Sequence, residues 1–305
     1  MAAPLPPLPL DLDFAPETGR PVRMAQAIVR VSAPNATPYT FTGTNSFLVG
    51  DERLAVLDPG PEDAAHLAAL LAAIDGRPVE AILLTHTHKD HSGLAPRLQA
   101  STGAPIWFEG PHRLSRPARR FERNGVARSS DFGLVPDRHL RDGEVITPGG
   151  VALRVVATPG HCRNHLAFAL EGTDLLLSGD HVMGWNSTLV SVPDGSMADY
   201  LASLRKVMAL PQRRYLPAHG GPIPDGRGMA AALLAHRLGR NRQILEAVAA
   251  GARGMRALLG AVYPGLKPQV IPAALMTLAA HVEFLEAQGA LEVRRGVWGM
   301  RLGVT

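Results

Sequence analysis

Cysteine is nearly missing from this chain: Cys162 is the single one in 305 residues. No intrachain disulfide can form, which agrees with a reducing compartment. Long apolar runs are missing too, and no stretch reads as the ~20 consecutive apolar residues of a membrane span. The segment from Met1 to Phe14 is rich in proline and carries Asp11 and Asp13, with no basic region leading into an apolar one. A secretory signal is therefore not expected, and the expected location is the cytoplasm. Lysine is scarce, with three among 31 basic residues, while Ala, Gly, Pro and Arg are abundant. That pattern looks like a coding bias and weakens any argument from positive charge alone. What remains is 46% hydrophobic and 19% charged, a composition able to bury a full core.

The formal charge of +4 is unevenly spread. From Met229 to the end, nine Arg and Lys face four acids, and Pro111–Arg141 holds eight Arg against three acids. Basic surfaces of this kind attract phosphate-bearing or otherwise anionic partners.

After an irregular leader over residues 1–25, short apolar runs alternate with turn residues. Ala27–Val31, Thr44–Val49, Leu54–Leu57, Ala81–Leu84, Pro105–Phe108, Val151–Ala157, Leu166–Leu170, Leu175–Leu177 and Arg214–Pro217 read as strands. Glu62–Ile74, Ser92–Ala100 and Asp199–Met208 read as helices. The alternation suits an α/β fold of two face-to-face sheets with helices outside, within a unit spanning 26–220. Residues 221–228 read as a Gly/Pro linker. Beyond it, Met229–Ala250, Met255–Val262 and Ala273–Gln288 read as helices, and Leu291–Val293 with Trp298–Leu302 as a hairpin. Three helices and a hairpin outline a small winged-helix-like unit over 229–305.

Chemistry concentrates in Thr85-His86-Thr87-His88-Lys89-Asp90-His91, where four metal-capable side chains fall within six residues. A strand entering a turn aims His86 and His88 at one point, and the following helical turn aims Asp90 and His91 at a second. Imidazole and carboxylate are the donors zinc takes outside purely structural sites. Further donors stand at strand ends: His161 in Thr158-Pro159-Gly160-His161, Asp180 in Ser178-Gly179-Asp180, and His219 in Pro217-Ala218-His219-Gly220.

These motifs, in this order and with Leu57-Asp58-Pro59-Gly60 upstream, resemble the metallo-β-lactamase superfamily across roughly residues 25–225. The resemblance implies an αββα sandwich holding two zinc ions. His86, His88 and His161 would hold one and Asp90, His91 and His219 the other, with Asp180 bridging them. Asp58 would fix a ligand imidazole through a hydrogen bond. A hydroxide shared by the metals would be the nucleophile, and Asp90 and Asp180 would be the catalytic carboxylates. True β-lactamases of this fold typically carry Cys or Ser at the position of Asp180, so β-lactam hydrolysis is not the first expectation.

The C-terminal motifs Gly220-Gly221-Pro222-Ile223-Pro224-Asp225, His236-Arg237-Leu238-Gly239-Arg240 and Ala280-His281-Val282-Glu283-Phe284 resemble the lactamase-β-like endoribonucleases. That resemblance implies cleavage of single-stranded RNA. The alternative is hydrolysis of small thioesters, lactones or other esters by the same centre, and a non-catalytic RNA-binding role is disfavoured because all seven ligands are present. His236-Arg237 can reach back to hold a phosphate or carboxylate, although an arginine on a helix face is more often simply solvated. His165, His181 and the segment Gly184–Thr188 lie close enough in sequence to the ligands to support them or to line the pocket. Cys162, beside His161, is expected as a small buried hydrophobe.

Overall fold

The computed structural model describes residues 5–296 and 299–305. Its first sheet holds β1 (Pro21–Ala25), β2 (Ile28–Ser32), β3 (Asn45–Val49), β4 (Leu54–Leu57), β5 (Val79–Leu83), β6 (Ile106–Phe108) and β7 (Arg138–His139), in chain order. Pairing is antiparallel from β1 to β4 and parallel from β4 to β7. The second sheet runs β12-β11-β10-β9-β8, from β8 (Val145–Ile146), β9 (Leu153–Ala157), β10 (Leu166–Leu170) and β11 (Leu175–Gly179) to β12 (Arg214–Pro217). Between the two sheets lies one apolar layer, in which Phe47, Leu57 and Leu83 meet Val155, Phe168 and Leu177.

Each sheet also has an apolar outer face, which is why β4, β10 and β11 are buried along their whole length instead of alternating. Helices α1 (Ala64–Ile74) and α3 (Ala95–Thr102) cover the first sheet through Leu67, Leu70 and Leu98. Between them sits the single turn α2 (Lys89–Ser92). Helix α4 (Met197–Ala209) and the first half of α5 (Gly226–Ala249) cover the second sheet through Tyr200, Leu204 and Leu233. The second half of α5 joins α6 (Met255–Val262), α7 (Ile271–Ala287) and the hairpin of β13 (Leu291–Gly296) with β14 (Gly299–Val304) around a separate small core.

Four expectations need correcting. The leader is not irregular to residue 25, because Pro21–Ala25 forms the edge strand β1 against β2, an unusual strand to read from a sequence with Pro21 and Arg23 in it. The helix expected over 92–100 is two elements, α2 and α3, with Pro96 at the start of the second. The Gly/Pro stretch after His219 is part of the fold: Ile223 bridges Tyr215, and α5 begins at Gly226, capped by the Asp225 carboxylate. Finally, Pro268–Ala287 has a mean hydropathy of 1.4 over a length that could cross a membrane. Here it is largely α7, whose Leu278, Val282 and Leu285 pack into the C-terminal core. Of the expected hairpin, Trp298 lies outside the described residues.

His66 ties α1 to the sheet, its Nε2 lying 2.9 Å from Ser46 Oγ, while Nδ1 has no partner. Burial lowers its pKa to about 4, against the opposing pull of Asp63. An unfolded imidazole titrates near ~6.5, so on acidification the unfolded chain binds the proton first. The stabilisation is full above ~6.5 and is lost as pH falls toward the folded value. The thermal unfolding midpoint is expected to drop between about pH 6.5 and 4.5, and to drop less in His66→Gln; parallel profiles would contradict this.

Candidate metal centre

The chemistry-bearing side chains stand on the segments that follow strands. After β5 the chain bends at Thr85, runs through His86-Thr87-His88, then turns into α2, which carries Asp90 and His91 in its single turn. The end of the arginine-rich insert pins this segment: Lys89 N–H donates to Ser129 O at 2.7 Å and Asp131 N–H to Thr87 O at 2.8 Å. His161 follows β9, Asp180 follows β11 directly, and His219 follows β12. Two glycines make the turns possible. Gly160 has φ +140°, and a Cβ there would sit 2.4 Å from the Tyr200 backbone; Gly179 has φ +54°, and a Cβ there would strike the His165 ring.

The structure brings all seven expected residues together. His88 Nδ1 lies 3.0 Å from His86 Nε2 and 2.9 Å from His161 Nε2. A second cluster has His91 Nε2 3.5 Å and His219 Nε2 3.4 Å from Asp180 Oδ1, and His219 Nε2 3.4 Å from Asp90 Oδ2. Asp180 Oδ2 reaches the first cluster, 3.6 Å from His161 Nε2. All but Asp90 are buried.

The hydrogen bonds on the far side of each ring decide what the near side offers. Thr85 Oγ1 donates to Asp58 Oδ2 at 2.7 Å, so it can only accept from His86 Nδ1, 3.0 Å away. His161 Nδ1 donates to Leu189 O at 2.6 Å, His219 Nδ1 to Gly43 O at 3.1 Å, and His91 Nδ1 to Asp58 Oδ2 at 3.0 Å. His88 Nε2 faces Asp194 Oδ2 at 3.5 Å. In every neutral imidazole the inward nitrogen therefore presents a lone pair. Three lone pairs meet at about 3 Å in the first cluster, and two face carboxylates in the second. His91 Nε2, His219 Nε2 and Asp180 Oδ1 are buried without any hydrogen-bond partner. Such an array repels itself unless cations sit at its two foci, so the donor set fits two metal ions.

Electrostatics point the same way. Burial lowers the pKa of His219, yet Asp180 and Asp90 lift it to about 9, which shows how strongly this spot favours positive charge. Asp90 and Asp180 are held well below the usual carboxylate range by the His91 and His219 rings despite burial. In the first cluster burial, reinforced by His88, pushes His161 down to about 4 and keeps the ring neutral and ligating.

The supporting residues are only partly those anticipated. Asp58 adopts φ +49° and accepts from Thr85 N–H, Thr85 Oγ1 and His91 at once. His165 accepts from Asp180 N–H at 3.1 Å through Nε2 and meets Thr158 Oγ1 at 2.8 Å through Nδ1. His181 is buried against the Tyr200 ring, away from the ligands. Cys162 is fully buried with its pKa pushed up by burial, as a small core residue. Asp194 was not anticipated. It is fully buried, bonds His112 Nε2 at 2.8 Å and Asn124 Nδ2 at 3.0 Å, and turns its other oxygen to His88.

A buried two-metal His/Asp centre at the strand ends of a four-layer sandwich defines a metal-dependent hydrolase. Residues 39–219 match the model of the metallo-β-lactamase superfamily, and the chain belongs to that family. It is 29% identical over 283 residues to a β-lactamase-like protein 2 homolog of Drosophila melanogaster, covering 90% of this chain and 92% of that one. It is also 29% identical over 247 residues to an atrochrysone carboxyl ACP thioesterase of Cryptosporiopsis, covering 78% and 68%. Among solved structures, a β-lactamase domain protein of Burkholderia ambifaria superposes with a TM-score of 0.81 at 27% identity, covering 98% of this chain and 97% of that one. TTHA1623, described in a di-iron-bound form, superposes with a TM-score of 0.50 at 25% identity, covering 66% and 96%.

Removing the Asp194 carboxylate frees the His88 ring to rotate. Asp194→Ala is expected to weaken metal binding on the order of 10- to 100-fold, read by competition against a chromogenic chelator. Unchanged affinity would contradict that positioning role.

Proposed function

We propose that this hydrolase cleaves a small acyl thioester or related carboxylic ester. One observation carries the reading: the metal centre opens into a cavity of about 510 Å³ with apolar and polar side chains in its lining. Its walls come from Tyr39, Val126 of the insert, Met183, Leu189 and Met276 of α7, with His88, Asp90, His161 and Asp180 at its floor. That is the size and mixed lining of a small-molecule site. The ACP thioesterase relative supports the same class of chemistry.

Four of the eight arginines in the arginine-rich insert are committed to internal partners. Arg116 binds Glu122 and Glu283 at 2.6 Å each, Arg119 binds Glu283 at 2.7 Å, and Arg113 and Arg138 pair with Glu109 and Glu144. Glu283 belongs to α7, so the C-terminal unit, read as winged-helix-like, roofs the site through these pairs. A second reading, phosphodiester cleavage in single-stranded RNA, draws on Lys89 and Arg128, exposed cations that line the cavity mouth.

In the proposed centre His86, His88 and His161 would hold one metal and Asp90, His91 and His219 the other, with Asp180 a further ligand. Zinc is the metal we assign. Bound there, the ions would acidify water toward a pKa of ~7 and polarise the substrate carbonyl. Asp90, held ionised and partly open to the cavity, accepts a hydrogen bond from the attacking water and orients it.

His88→Ala and Asp180→Asn should each abolish hydrolysis while circular dichroism shows the fold intact; activity near the wild-type level would mean the site is misassigned. Tests of the purified protein against a short acyl-thioester panel and a single-stranded RNA should show thioester turnover and intact RNA. The converse result would replace the thioester reading with the RNA one.

A further inference from the structure

A second cavity of about 500 Å³ lies behind the metal site, walled by the leader around Leu5–Leu10, by α5 and by Tyr263. Tyr39, Met183, Thr188 and Leu189 line both cavities, so the two adjoin across the strap that follows Asn186-Ser187. Two arginines of α5 line the rear cavity. Arg237, expected to be solvated, is instead 2% exposed. One of its terminal nitrogens donates to Thr188 O at 2.5 Å, and its Nε has no partner. Arg240, half-buried one turn on, donates to Gln243 Oε1 at 2.7 Å and Val262 O at 2.8 Å and lies over the Tyr263 ring at 4.1 Å. Its Nε also lacks a partner, as do the nearby His236 Nδ1 and Trp185 Nε1. Among the described residues neither guanidinium has an ion pair with a carboxylate, and the charge felt by Arg240 includes that of Arg237.

Two cations side by side at the cavity wall, each with a buried and unused Nε donor and no carboxylate partner, are costly without a counter-charge. We propose that Arg237 and Arg240 form an anion subsite that holds the phosphate or carboxylate at the non-reacting end of the thioester substrate. The proposal rests on the thioester reading for the identity of that substrate. Guanidinium donors suit the oxygens of either group. The strap also fixes the subsite to the metal centre: Thr188 O accepts from Arg237 while Leu189 O, one residue on, accepts from the ligand His161. An anion seated there would anchor the substrate with its scissile bond in the front cavity, using binding energy remote from the reacting atoms. His236 belongs to the same positive environment, held down at about 4 by burial and by both arginines.

Arg240→Gln is the informative change, because Arg237 also holds the strap. Calorimetric titration of the metal-loaded full-length protein with inorganic phosphate is expected to show binding that weakens about tenfold or more in Arg240→Gln, with metal content unchanged. Equal affinity in the two proteins overturns the subsite. Kinetics then separate the two ligands. KM for S-acetyl-4′-phosphopantetheine should lie well below that for S-acetylpantetheine if the anion is phosphate. KM for an S-succinyl thioester should lie well below its S-butyryl counterpart if it is carboxylate. Either ratio should collapse toward one in Arg240→Gln. Thioester turnover with neither preference refutes the anchoring role. Arg240-dependent phosphate binding without thioester turnover leaves the subsite standing and removes the thioester reading instead.

Discussion

The structure depends on where five imidazoles spend their protons. His86, His91, His161 and His219 each give one ring N–H to an oxygen behind them, and His88 turns its own toward Asp194. Those oxygens belong to Thr85, Asp58, Leu189, Gly43 and Asp194, spread over both sheets and their loops. With outward nitrogens committed, inward ones converge beside Asp90 and Asp180 as sites that take positive charge, a metal ion or, at His219, a proton. A protein interior tolerates that array only around cations, so the hydrogen-bond scaffold selects the metal-bound state before any metal arrives.

The two-sheet sandwich holds those oxygens still. Apolar residues on both faces of each sheet lock β5, β9, β11 and β12 between layers, and the donors sit just beyond their ends. Asp58 shows the tension at such a site, since its left-handed backbone persists because Thr85 and His91 both require its carboxylate. The Glu283–Arg116–Arg119 pairs hold the C-terminal helices against the insert, and Met276 and Val126 from these two parts line the cavity beside the strand ends.

Much of this was legible in the residues. The run His86–His91, the histidine and aspartate endings of three later strands, and most element positions follow from local pattern, because strand-to-turn geometry is local. Asp194 was not legible: within Val192-Pro193-Asp194-Gly195 it reads as an ordinary turn residue, and only tertiary folding carries it beneath His88. The carbonyls of Gly43 and Leu189 could not be read at all, since a backbone oxygen has no sequence identity. Arg237 was misjudged for a related reason. A helix that must cover a sheet at one end and join a second core at the other has few solvated faces, and the periodicity of α5 does not reveal this. The edge strand β1 was hidden by its own proline and arginine.

The central claim, that the imidazole scaffold encloses two adjacent metal ions, is tested most directly by a crystal structure of the metal-loaded protein with anomalous diffraction on both sides of the zinc absorption edge. Two peaks are expected, one bounded by His86 Nε2, His88 Nδ1 and His161 Nε2 at ~2.0–2.1 Å. The other should be bounded by Asp90, His91 and His219, with Asp180 reaching both. A single peak, or one drawn away to the neighbouring group of His88, His112 and Asp194, would contradict it.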